Sequence, residues 1–161
     1  MRRFAIASGN GHASPRASTV VTLSIVNAPA YSLAAVLASG EPERLYSGLS
    51  LLVSTAADGD RCAGLASFRG LDLLLDDDLL ARAENAEATP SLSWQGRDTF
   101  ARSFVELRDT ALGLDELSLY ACSASVETMS LTSGAVEERL DGVMSTPRFL
   151  RETTGAQLVF V

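Results

Sequence analysis

Cys122 is the residue whose neighbours best suit it to chemistry. Leu117-Ser118-Leu119-Tyr120-Ala121-Cys122 reads as a buried strand, and Ser123-Ala124-Ser125-Val126-Glu127-Thr128-Met129 reads as the start of a helix. A thiol at that junction meets unpaired backbone N–H groups and the positive end of a helix dipole, and both favour thiolate over thiol. The same amides suit an anionic persulfide or an oxyanion. Ser123 and Ser125 can cap the helix or donate hydrogen bonds to the sulfur. No histidine is near in sequence to act as a base, so activation falls to the helix terminus, with Arg69 as a possible second contributor. The alternative is that Cys122 is a small hydrophobe closing a strand, since cysteine is often fully buried without reacting. Cys62 sits inside an apolar run and is expected in the core.

Several other chemistries are excluded. The chain has 161 residues with 13 basic and 20 acidic side chains, a formal net charge of −7, and every basic residue is arginine. Without lysine there is no P-loop and no Schiff base. The single histidine, His12, rules out a multi-histidine zinc site. Asp76-Asp77-Asp78 resembles a ligand set, but adjacent helical residues point in different directions, so a solvated face is expected and no metal or organic cofactor is implied. An acidic chain without a basic cluster is a poor ligand for nucleic acid. Two widely separated cysteines form no disulfide framework, which suggests a reducing, cytoplasmic setting. Met1-Arg2-Arg3-Phe4 invites a signal-peptide reading with Val20–Ala38 as the apolar region. That region is interrupted by Thr22, Ser24, Asn27, Pro29 and Ser32 and begins far from the arginines, so neither a signal nor a membrane span is expected.

The surrounding elements follow from periodicity. Residues 1–18 read as a flexible tail and 19–161 as one domain. Thr19–Val26 is β-branched and reads as the first strand, ending at Asn27; Ala30–Gly40 reads as a connection. Over Glu41–Ala57, Leu45, Leu49, Leu52, Val53 and Ala56 share one helical face, Pro42 suits the first turn, and Gly59 ends the helix. Arg61–Phe68 reads as a buried strand, and a helix resumes at Gly70 with Leu71, Leu74, Leu75 and Leu79 on one side. Glu84–Asp98 reads as a loop carrying Trp94, either a lid over a pocket or a plug over the core, before a helix over Thr99–Leu112. Ser123–Leu140 reads as helical with a break near Ser133-Gly134. Thr146-Pro147 opens a helix to about Thr154, and Ala156–Val161 is a closing strand. Strands alternating with helices predict an α/β fold, a three-layer sandwich whose central, mostly parallel sheet is flanked by helices. Its expected core holds Val21, Leu23, Ile25, Leu65, Leu119 and Leu158, with Leu49, Leu52 and Phe104 packed on it. Ligands of such sheets gather beyond the carboxyl ends of the strands, here Asn27, Phe68-Arg69-Gly70 and Cys122-Ser123.

The segment Leu117–Met129, with Tyr120-Ala121-Cys122-Ser123-Ala124-Ser125, resembles the strand–Cys–helix segment of the DsrE/DsrF-like family. The similarity extends to Arg44–Leu49 with Ala57–Asp60, to Arg61–Leu75 with Phe68 before Gly70-Leu71, and to Val136–Val143 with Gln157–Val161. It covers roughly residues 19–161, most sharply around Cys122. The resemblance implies an α/β sandwich that assembles as a homo-oligomer, a trimer or hexamer. It implies sulfur-relay activity, in which a cysteine persulfide passes between protein donor and acceptor. Cys122 matches the sulfur-carrying position and Ser125 the serine after it. Ala124 and Val126 stand where some relatives have Met, and the loop at Glu84–Asp98 is this chain's own. An oligomeric small-ligand binding module of the same fold and a thiol redox sensor are the alternative functions.

Overall fold

The computed structural model describes residues 30–85 and 94–161. Strands β1 (Leu33–Leu37), β2 (Cys62–Ala66), β3 (Leu117–Cys122), β4 (Val143–Met144) and β5 (Gln157–Phe160) form one sheet in the order β4-β3-β2-β1-β5. Every neighbouring pair is parallel. The helices among the described residues are α1 (Pro42–Ala57), α2 (Phe68–Leu75), α3 (Leu79–Glu84), α4 (Trp94–Gly113), α5 (Ser123–Thr128), α6 (Ser133–Glu137) and α7 (Thr146–Glu152). β1 and β2, Leu-Ala-Ala-Val-Leu and Cys-Ala-Gly-Leu-Ala, are buried at every position, so they carry no polar alternation.

The two faces of the sheet are covered unequally. One packs Leu33, Leu37, Cys62, Leu117 and Leu119 against α1 through α6, with Leu45, Leu49 and Leu52 of α1 and Phe104 of α4 fully buried. Between α1 and α4, Phe100 stacks on Phe104 and Tyr46 meets the pair tilted and edge-on. The other face packs Ala34, Val36, Ala63, Leu65, Cys122 and Met144 under Phe149 of α7. Topology explains the division. From β1 to β4 the chain steps one way across the sheet, and its connections lie on one face. From β4 it returns to the far edge beside β1, and a right-handed crossover in the reverse direction must pass over the opposite face.

Several expectations are corrected. Among the described residues the first strand is Leu33–Leu37, inside the stretch read as a connection: its five residues are small or apolar, without the β-branched enrichment of Thr19–Val26. Thr19–Val26, with Val21, Leu23 and Ile25, lies outside the described residues, as do the 1–18 segment and Asn27. Leu65, Leu119, Leu49, Leu52 and Phe104 are core, but Leu158 is 48% exposed, on β5 at one end of the strand order among the described residues. Asp76–Asp78 is not a helix face but the joint between α2 and α3. The expected loop at Glu84–Asp98 is shorter: α3 runs to Glu84 and α4 begins at Trp94. The helical break after β3 falls at 129–132, where Ser130 has φ 54°, and Ser133 opens α6. Ser145, not Thr146, is the N-cap of α7, and the helix ends at Glu152. Gly59 takes the left-handed conformation, φ 89°, after α1 as expected.

Candidate functional site

All five strands run the same way, so their carboxyl ends share one edge of the sheet. Along that edge the connections after β1, β2 and β3 turn on to one face, while the connection after β4 turns on to the other. The chain therefore parts between β3 and β4, the position at which open parallel sheets form a crevice for ligands. Cys122 ends β3 at that point, paired in register with Met144 of β4. It is the N-cap of α5, with extended dihedrals of −66° and 124°. Ser145 and Thr146 begin α7 from the other side of the crevice, and Thr146 Oγ1 lies 3.8 Å from Cys122 Sγ.

Two opposed effects act on this sulfur. The residue is only 6% exposed, and burial by itself disfavours the thiolate. The N–H groups of Ser125 and Ala124 and the hydroxyls of Thr146 and Ser125 act the other way and together outweigh burial, so the thiol pKa falls below its ordinary value. The neutral thiol makes no regular capping bond to α5; the amides stand where an anion would accept from them. Cys62 has the opposite balance. It is fully buried at the start of β2, its Sγ donates to the Asp60 carbonyl at 3.4 Å, and burial followed by the Asp60 charge pushes its pKa up.

The cysteines cannot meet. Cys62 pairs in register with Leu117, and Cys122 lies five residues further along β3. At about 3.3 Å per residue they are roughly 17 Å apart along the sheet. They also face opposite sides of it. A disulfide needs Cα atoms within about 7 Å.

The remaining candidates are dispersed. Ser125 is fully buried beside Cys122, and its Oγ accepts the Phe68 N–H at 2.9 Å. Ser123 is half-buried as the first residue of α5. Arg69 is exposed, and its aliphatic stem packs on Gly40 in the turn after β1: a Cβ added at Gly40 would stand 2.7 Å from Arg69 Cδ. That stem belongs to the end of β1, with β2 between it and β3. Two of the three aspartates of the α2–α3 joint are held by arginine, Asp76 with Arg82 at 3.0 Å and Asp77 with Arg139. Among the described residues no group of three or more His, Cys, Asp or Glu side chains is arranged to hold a metal, and no helix is long and apolar enough to cross a membrane.

Thr146 is a site residue that sequence reasoning missed. Thr146 read as a helix cap because β4, two residues long, has no periodicity to reveal it. The signal available was Ser145-Thr146-Pro147 itself, which forces a helix start close behind a strand. In comparisons with known proteins, no family model matches this chain and no curated protein matches it; what stands is a parallel five-strand α/β fold with a thiolate-favouring cysteine at its switch point.

Proposed function

We propose that this protein is a sulfur carrier in which Cys122 holds a persulfide between a donor and an acceptor protein. The observation that carries the reading is the setting of the Cys122 sulfur. It sits at the switch point of the sheet, with two amides and two hydroxyls favouring its anion against burial. The Cys122 thiolate attacks the outer sulfur of a donor persulfide. A new S–S bond forms at Cys122, the donor's S–S bond breaks, and the donor leaves as a thiolate. An acceptor thiolate then attacks the outer sulfur and restores the Cys122 thiolate. No net electrons are exchanged, so the cycle requires no redox cofactor. The buried sulfur suits a slender donor group, a sulfane sulfur at the tip of a side chain. The resemblance of Leu117–Met129 to the DsrE/DsrF-like segment supports the same reading.

The test is intact mass after incubation with a sulfane-sulfur donor. Wild type should gain one sulfur atom that reductant removes, and Cys122→Ser should gain none. No gain in wild type favours the small-ligand binding module. The redox-sensor reading is weakened because Cys62, at the other end and face of the sheet, cannot resolve an oxidised Cys122. A homo-oligomer belongs to the proposal. Leu158 and Phe160, 48% and 71% exposed on uncharged strand β5, the outermost strand of the sheet among the described residues, support it, because exposed neighbouring apolar side chains often mark an interaction surface. Light scattering that reports a monomer at tens of micromolar, on the order of ordinary assay concentrations, removes that part.

A further inference from the structure

β5 pairs with β1 on one side, and no described residue pairs with it on the other. Its backbone bonds to β1 alternate along the chain. The Gln157 N–H donates to the Ser32 carbonyl and the Val161 N–H to the Val36 carbonyl, both at 3.0 Å, and the Val161 carbonyl accepts from Ala38 at 2.9 Å. Gln157, Val159 and Val161 therefore turn their polar backbone groups to β1. Leu158 and Phe160, between them, turn theirs to the outer side. The same two residues are register partners of Ala34 and Val36, so their side chains stand on the face that carries Phe149. There Leu158 is 48% exposed and Phe160 71%.

Proteins ordinarily guard an outer strand with a charge or a proline. Gln157-Leu158-Val159-Phe160-Val161 has neither. Charge also bears on what can dock there. Two copies of a chain of net charge −7 repel each other overall, so contact between copies belongs where acidic side chains are scarce. Between Thr146 and Val161 the charged residues are Arg148, Arg151 and Glu152, and Glu152 is held by Arg148 at 2.6 Å. This corner is thus slightly basic in an acidic molecule, and its outer strand is neutral.

We propose that β5 pairs antiparallel with β5 of a second copy of this chain, about a two-fold axis at Val159. A two-fold contact is self-complementary: where one residue meets another, the second must meet the first across the axis. An axis at Val159 sets Leu158 of each copy opposite Phe160 of the other. Opposite residues whose backbone groups face each other exchange both hydrogen bonds in an antiparallel pair, and Leu158 and Phe160 are the residues turned outward. Their exposed side chains then meet on one face, and the sheet runs on through both copies. The inference deepens the homo-oligomer part of the proposed function by naming its contact, and it does not draw on the chemistry of Cys122. Thr19–Val26, β-branched and outside the described residues, is the rival occupant of this side of β5.

The test is the molar mass of the full chain by light scattering at about 50 μM, with hydrogen exchange at Leu158 and Phe160. Wild type should be a dimer or an even multiple of one, with both amides protected. L158E combined with F160E sets like charges opposite each other and should lose the contact. L158E combined with F160K sets opposite charges across the axis and should keep it. Leu158→Pro removes an outward donor without touching the bonds to β1, so it should fold and lose the contact. A monomeric wild type overturns the inference, and slow exchange at Leu158 and Phe160 in that monomer assigns the strand side to Thr19–Val26. Undiminished association of the double-glutamate variant, or of Leu158→Pro if the former does not fold, overturns it while leaving a homo-oligomer built elsewhere. Equal dissociation of the two charge-bearing variants overturns the axis at Val159. Sulfur uptake by wild type, measured separately, decides the sulfur-carrier reading alone.

Discussion

Gly70→Ala is the substitution whose cost can best be worked from the structure. Gly70 lies in the first turn of α2, where that helix passes over the end of β1. A Cβ there would stand 2.3 Å from the Leu37 carbonyl oxygen and 2.8 Å from its carbon. Both are backbone atoms of a central strand, so neither can rotate aside. Ordinary contact needs about 1 Å more, and α2 must lift by that amount. Lifting it strains the Ser67 N–H bond to the same Leu37 oxygen, 2.9 Å in wild type. Overpacking of this kind costs about 1–3 kcal/mol, and the disrupted hydrogen bond adds roughly 1 kcal/mol. Alanine's better helix propensity returns about 1 kcal/mol. The net expectation is about 1–3 kcal/mol of destabilisation, read as a lower urea midpoint at unchanged slope. Gly134→Ala is the control: its added Cβ meets nothing within 4 Å, and α6 should be unaffected or slightly stabilised. Wild-type stability in Gly70→Ala would refute the claim that α2 and β1 are in backbone contact.

Small thiol reagents should label Cys122 before Cys62, and Cys62 should label only as the protein unfolds; equal, slow labelling of both would make Cys122 a structural residue. A compact methylthiolating reagent should outpace a bulky aromatic disulfide at Cys122, because the residue is 6% exposed. Thr146→Val removes the hydroxyl 3.8 Å from the sulfur and should slow neutral-pH alkylation by about two- to tenfold, a consequence of a raised pKa. The Cys122 pKa is lowered on folding, so its ionisation should add stability as pH rises from the folded value towards about 8.5, the free-thiol value. That rise should be missing from the urea midpoints of Cys122→Ser. Asp76 is partly desolvated, but Arg82, the Asp78 N–H and Arg108 outweigh that and lower its pKa. Its contribution is present above about pH 4 and lost as pH falls through the folded value, so Asp76→Asn should cost about 1 kcal/mol at pH 7 and little in acid.

The sequence by itself determined the parts of the fold that local physics decides. α1 was legible because Leu45, Leu49 and Leu52 recur on one face behind Pro42, and all three are buried. β2 and β3 were legible as apolar runs bounded by Asp58-Gly59-Asp60 and Gly113, and Cys122 was legible as the join of strand and helix. Tertiary structure decided what depends on neighbours far along the chain. β1, Leu-Ala-Ala-Val-Leu, has no alternation and no β-branched run, and it is a strand because β2 and β5 supply its hydrogen bonds on either side. β4 has two residues, too few for a period, yet it turns the end of β3 into the crevice that holds Thr146 against Cys122. Leu158 looks like core in sequence, but β5 ends the strand order among the described residues, and its side chain is half exposed. The pKa of a thiol is likewise set by which donors surround it. The strand–helix junction already set Cys122 apart from Cys62 in sequence, but the balance between burial and donors came only with the fold, which sets two amides and two hydroxyls around Cys122 and core with a nearby carboxylate around Cys62.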